Sequence, residues 1–162
     1  MYGTSKFQAE QKLKSLESLN FKICIVRPPM VYGNGCKGNF PKLVKLTKIL
    51  PVFPNVDNRR SMIYIENLSE FLKIAIRDNY AGIHLPQNKE YVNTTELVKT
   101  IAKLHGKNMR MTKLFNPIIR LLANHIAPLA KLFGSMVYEK NDLCNDFTIV
   151  DFDESVKRAI FK

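Results

Sequence analysis

Short apolar runs alternate with stretches of helical apolar spacing along this chain, and no other feature restricts its fold so tightly. From Thr4 to Leu19 the apolar residues Phe7, Ala9, Leu13, Leu16 and Leu19 recur at helical intervals among Lys and Glu, which predicts a surface helix packed on one face. Phe21 to Val26 reads as a strand, ended by Arg27-Pro28-Pro29 because proline cannot donate to a ladder. Pro41 opens a second helix over Phe40 to Leu50, and Pro51 closes it. Ser61 to Ile65 predicts a short strand, and Glu66 to Arg77 a helix with Leu68, Phe71, Leu72, Ala75 and Ile76 inward. Gly82 to Leu85 reads as a further strand. Thr94 to His105 reads as a helix that Asn93 or Thr94 caps and Gly106 ends. Such alternation predicts an α/β chain.

A length of 162 residues predicts one domain with a real core, and 46% hydrophobic against 24% charged residues excludes a disordered chain. The net charge of +11 points to an anionic partner. The lysines are scattered, densest at Lys37, Lys42, Lys45 and Lys48, with no aromatic residues between them. That pattern argues against nucleic acid and for a solvated surface or a phosphate-bearing small ligand. Three cysteines, Cys24, Cys36 and Cys144, without metal spacing suit a reducing cytoplasm. The greasy stretch from Leu114 to Val137 is broken by Asn116, Pro117, Arg120, Asn124, His125, Pro128 and Lys131. It reads as a packed helical subdomain or a peripheral membrane contact, not as a span.

The run GNGCKG, Gly33 to Gly38, matches the letters of a dinucleotide-binding fingerprint. Such a fingerprint needs a strand running into its first glycine and an acidic residue about 20 positions on, closing a second strand. Here the glycines come several residues after the predicted strand, and Asp57 lies in a turn. The run is therefore expected to be a loop bordering a site.

Tyr2 and Lys6 stand at i and i+4, one turn apart on the same helix face. An ammonium at that distance favours a phenolate and makes a tyrosine usable as an acid or base near neutral pH. Further segments follow in order: YGTSKFQAE (2–10), VRPPMVYG (26–33), Gly38-Asn39-Phe40, and RSMIYIENL (60–68). By these motifs, and from Tyr2 to at least Lys103, the chain resembles the C-terminal half of the extended short-chain dehydrogenase/reductase family. Within that family it is similar to the NAD-dependent sugar-nucleotide epimerases and dehydratases of UDP-glucose 4-epimerase type.

The resemblance implies the C-terminal portion of a Rossmann-type doubly wound sheet plus a small mixed α/β substrate-binding subdomain, the N-terminal cofactor-binding strands being missing. Residues 1–35 would be the last part of the NAD-binding domain, and residues 36–162 mainly the substrate subdomain, with some segments returning to the sheet. It implies NAD as cofactor, NADP not being excluded. Tyr2 would be the catalytic acid/base, and Lys6 its partner and a contact to the nicotinamide ribose. Pro28 would lie near the carboxamide, Asn39 and Phe40 against the nucleotide sugar, Phe53 against the base, and Arg60 on the diphosphate. Read without the resemblance, Arg60 is a surface residue beside Arg59, Phe40 and Phe53 are core aromatics, and Asn39 caps a helix. Met30 departs from the asparagine many sugar epimerases carry there, and the second phosphate-binding arginine of the galactose epimerases is absent, with Lys113 or Arg120 as substitutes. His84, His105 and His125 show no ligand spacing, so no metal is expected.

The implied function is 4-epimerisation of a nucleoside-diphosphate sugar through a transient 4-keto sugar, as in polysaccharide biosynthesis, with these residues inactive apart from an N-terminal half. The implied partners are that half and a second copy through the Tyr2–Lys6 helix; the setting is cytoplasmic. The alternatives are a dehydratase or reductase of the same family, an enzyme of lipid-linked sugars at a membrane, and a non-catalytic remnant serving in binding or oligomerisation.

Overall fold

The computed structural model describes residues 2–123, 126, 130, 132–140 and 142–161. In chain order the described elements are α1 (Tyr2–Lys14), β1 (Cys24–Val26), β2 (Met30–Tyr32), α2 (Asn39–Ile49), β3 (Val52–Pro54), β4 (Met62–Tyr64), α3 (Ile65–Arg77), β5 (Gly82–His84), α4 (Thr94–Leu104), β6 (Arg110–Thr112), α5 (Asn116–Ala123), a 3-10 turn (Asp142–Asn145) and α6 (Phe152–Phe161). His125, and the side chain of Arg120, lie outside the described residues.

The strands pair in parallel: β1 with β5, β2 with β4, and β3 with β6. Parallel pairing requires crossovers, and helices supply them. All three residues of β4 are buried, which marks a strand covered on both faces. Alternation sends Met62 and Tyr64 to one side, among Tyr32, Phe40, Leu43, Phe53, Leu97, Val98 and Ile101 from α2, α4 and their neighbours. Ile63 faces the other side, among Phe71, Ile74, Ala75 and Phe147. The mixed α/β architecture with parallel sheets agrees with the expected fold class.

Several elements differ from the sequence reading. β2 was not expected, because a three-residue strand just after two prolines is too short for a periodicity signal. β3 and β6 were missed for the same reason. In α3 the buried positions are Asn67, Phe71, Ile74 and Ala75, whereas Leu72 and Ile76 are exposed. The inward stripe is rotated toward Asn67, a polar residue that periodicity assigns outward. The first helix is shorter than predicted, and its Phe7, Leu13 and Leu16 are exposed, so the packed face expected of it is not packed among the described residues.

The α4 start agrees with one of its two predicted caps: the Asn93 side chain accepts from Thr95 N and Glu96 N. No helix of the described residues is long and apolar enough to cross a membrane.

Candidate functional site

The glycine run occupies the turn between β2 and α2. β2 ends directly before Gly33, and α2 opens directly after Gly38, so the strand-to-helix context is nearer to the fingerprint's than the sequence suggested. The contacts are nonetheless those of packing. A Cβ on Gly33 would meet Ile65 Cγ2 at 2.3 Å, so this glycine admits the start of α3 and not a phosphate. Gly38, the N-cap, has a φ of 123° that only glycine adopts freely.

Beneath that turn the Tyr32 hydroxyl is fully buried, 2.6 Å from Ser155 Oγ and 3.0 Å from Asn88 Nδ2, which donates to it. Ser155 gives its own proton to Phe152 O at 2.6 Å, so the phenol donates to Ser155. Burial pushes the Tyr32 phenol above its ordinary value, against the lowering effect of those hydrogen bonds. It is a fixed brace between β2 and α6, unsuited to proton exchange.

The α1 end is tied to the strand that follows. Arg27, just past β1, donates from Nε to Glu10 Oε1 at 3.0 Å and pairs through Nη2 with the second carboxylate oxygen. The Arg27 guanidinium holds the Glu10 carboxyl below the usual carboxylate range. Residues 2, 6 and 10 fall on one stripe of α1 at successive turns. The stripe bearing Tyr2 and Lys6 is thus the one latched to the Arg27-Pro28-Pro29 segment. Tyr2 opens α1, with its side chain outside the described set; Lys6 is exposed; Pro28 is half-buried.

Arg60 and Asn39 border one cavity. Together with Met30, Leu43, Met62, Thr94, Leu97 and Leu132 they line a crevice of about 10 Å³, room for one water at most. Asn39 is the first residue of α2, not its cap. Arg60 is 6% exposed. Its Nη1 donates to Gly134 O at 3.1 Å, and among the described residues no carboxylate pairs with it. Burial lowers its pKa from the ordinary arginine value. Among the described residues the Gly134 carbonyl is the side chain's one hydrogen-bond partner, a sparse set for a buried guanidinium. The expectation that Arg60 is a surface residue beside Arg59 does not hold; Arg59 alone is exposed.

Around Arg60 the chain is stitched to residues 132–136. Asn58 Nδ2 donates to Phe133 O at 3.1 Å, Arg59 N to Ser135 Oγ at 3.2 Å, Met136 N to Arg59 O at 3.0 Å and Ser61 N to Met136 O at 2.9 Å. Asn58 Oδ1 in turn accepts from Thr94 N at 2.9 Å.

The two remaining candidates lie apart. Phe40 is in the core, its ring 5.2 Å from that of Tyr32. Phe53 is 1% exposed and forms part of the floor of a separate groove, of about 610 Å³, with Val52, Phe115, Ile118, Ile119 and Phe133. The sequence reading missed Leu132 and this groove. The spacing Phe115, Ile118, Ile119 is a helical stripe that could have announced it. Among the described residues no cluster of His, Cys, Asp or Glu is suited to a metal. His84 stacks on Tyr80 with ring centroids 5.1 Å apart, and His105 lies edge-on to Phe161 at 5.3 Å.

Comparison with known proteins gives a family profile, the 3-beta hydroxysteroid dehydrogenase/isomerase family, matching residues 1–94. The chain is 34% identical over 107 residues to a UDP-glucose 4-epimerase of Vibrio cholerae, covering 62% of this chain and 33% of that protein. It is 28% identical over 141 residues to N-acetyl-alpha-D-glucosaminyl-diphospho-ditrans,octacis-undecaprenol 4-epimerase of Escherichia coli O157:H7, covering 82% and 42% respectively. The chain thus spans between a third and about two fifths of the length of these relatives. In fold it is similar to the UDP-glucose 4-epimerase of Thermus thermophilus solved with NAD: TM-score 0.68, 18% identity, 98% of this chain and 52% of that one.

Proposed function

Because the chain belongs to the 3-beta hydroxysteroid dehydrogenase/isomerase family, among the NAD-dependent epimerases and dehydratases of the extended short-chain dehydrogenase/reductase group, we propose that it carries the substrate-binding part of a sugar 4-epimerase whose substrate presents a diphosphate. The observation that carries the reading is Arg60: a buried guanidinium without a carboxylate partner among the described residues, sharing one crevice with Asn39. A diphosphate oxygen matches its fork of donors, and Asn39 offers both a donor and an acceptor to a sugar hydroxyl. At about 10 Å³ the crevice must open to admit such a group.

Residues 1–35 form the edge of the cofactor domain in this reading, and residues 36–162 mainly the substrate subdomain. NAD, when bound, supplies reversible hydride exchange at the sugar carbon. The fit of this chain to it is supported by the α1 stripe of residues 2, 6 and 10, latched through Glu10 to Arg27, the residue before Pro28. Tyr2 takes a proton from the sugar hydroxyl and returns it, Lys6 supports the phenolate, and Pro28 walls the nicotinamide pocket. Asn39 orients the sugar. Phe53, in the groove, and Phe40, in the core, stand further from Arg60's crevice, and Phe40 is assigned the weaker role.

A second reading, a diphosphate sugar carried on a lipid, is supported by the undecaprenol-linked substrate in the Escherichia coli relative's name. In both readings the test is the same pair of variants in an enzyme containing this chain. Tyr2→Phe is expected to lower turnover by at least about 100-fold with substrate affinity kept. Arg60→Ala is expected to weaken binding of UDP by about tenfold or more in calorimetry. Unchanged UDP affinity in the arginine variant removes the assignment.

A further inference from the structure

An apolar groove runs between β3 and α5, with Leu46, Pro51, Phe53, Ile118, Ile119 and Phe133 among its lining residues. No lining residue carries a polar side chain. A nucleobase would bury its hydrogen-bonding edge there unpaired, at a cost of about 1–3 kcal/mol per orphaned group. A hydrocarbon chain loses nothing.

The groove and the Arg60 crevice are neighbours that share a lining residue. Leu132 lines both, and the next two residues turn their carbonyls to the same neighbourhood: Phe133 O accepts from Asn58 and Gly134 O from Arg60. A ligand whose diphosphate is held at Arg60 has Leu132 as a neighbour, and the apolar groove lies on from that residue. The segment that supplies Ile118 is apolar on its outside too: Leu114, Ile118 and Leu121 are 78%, 58% and 66% exposed. Lys113 and Arg110 stand exposed beside them, the charge expected where a protein reaches an anionic bilayer for its substrate.

We infer that this groove receives the isoprenoid chain of a polyisoprenyl diphosphate sugar, the diphosphate lying at Arg60 and the sugar at Asn39. The inference rests on the reading of Arg60 as the diphosphate site and makes the substrate a lipid in place of a nucleotide.

The experiment compares three probes by calorimetry, below micelle-forming concentration: geranylgeranyl diphosphate, UDP and inorganic pyrophosphate, each against the unmodified protein, Ile118→Glu and Arg60→Ala. Ile118 is exposed, so its charged variant should fold, and circular dichroism checks that it does. Geranylgeranyl diphosphate is expected to bind at least about tenfold tighter than pyrophosphate, since burying two methylenes suffices for that factor. Ile118→Glu is expected to abolish that margin and leave UDP and pyrophosphate affinities unchanged. A photoreactive geranylgeranyl diphosphate is expected to label residues 115–119. A lipid diphosphate no tighter than pyrophosphate overturns the inference while the Arg60 effect stands. Loss of UDP affinity in Ile118→Glu overturns it differently, by placing the base in the groove. If Arg60→Ala weakens none of the three probes, the diphosphate reading itself falls and the inference with it.

Discussion

Tyr64 shows how far single residues in this core depart from their properties in water. Its phenol is buried and donates to Glu66 Oε1 at 3.1 Å. Burial first, and then the Glu66 carboxylate, push its pKa up to about 12. The unfolded chain gives up this proton near pH 10 and the folded one only near 12, so the folded state is favoured below pH 10 and loses that contribution as pH rises toward 12. Alkaline denaturation should therefore show stability falling across pH 10 to 12, less steeply in Tyr64→Phe; an unchanged slope would contradict the assignment. Gly33 is the other informative residue. Gly33→Ala must displace Ile65 or the backbone and should cost about 1–3 kcal/mol in urea denaturation. These two residues also mark what was legible. RSMIYIENL and VRPPMVYG were recognisable as motifs, but that their tyrosines brace the interior and their glycine packs on Ile65 depends on partners distant in sequence.

Among the elements, α1 exposes the face expected to pack, whereas the spans of α2, α3 and α4 were legible because each carries a sustained apolar stripe and a stop signal. The short strands were not, since three residues hold too little pattern. α3 illustrates the limit. Its inward face includes Asn67, which donates to Val150 O at 2.9 Å and accepts from Ile149 N at 3.1 Å and Val150 N at 3.0 Å. These bonds pin the segment before α6 against α3, a reason for burial that hydropathy cannot register. Asn67→Ala should lower stability by about 1–3 kcal/mol, because it orphans the buried Val150 amide and carbonyl, whereas Ile149 N keeps Phe147 O; a loss under about 0.5 kcal/mol would refute the pinning role. Asn39 and Arg60 were legible through the family motif. Leu132 was not, because its place is set by the bonds of its neighbours to residues 58–61.

Over the whole molecule, order is unevenly distributed. α4 is buried along one face and packs on α2 and α6, whereas α1 has no buried residue among those described and is held at Arg27–Glu10, a surface ion pair of small energy. Hydrogen exchange should accordingly be fastest in α1 and slowest in α4 and β4; protection of α1 equal to that of α4 would mean that it is covered in solution. The net charge of +11 overstates what is offered to partners. Lys107 Nζ is turned onto the end of α2, donating to Thr47 O, Lys48 O and Leu50 O at 3.0, 2.9 and 2.6 Å.

Leu132 lines both the crevice and the groove, and the chain that follows it is fastened in part by the Arg60–Gly134 bond. If Arg60 takes a phosphate as proposed, the incoming oxygen competes with the Gly134 carbonyl for Nη1, so binding and the hold on this strip of chain draw on one donor.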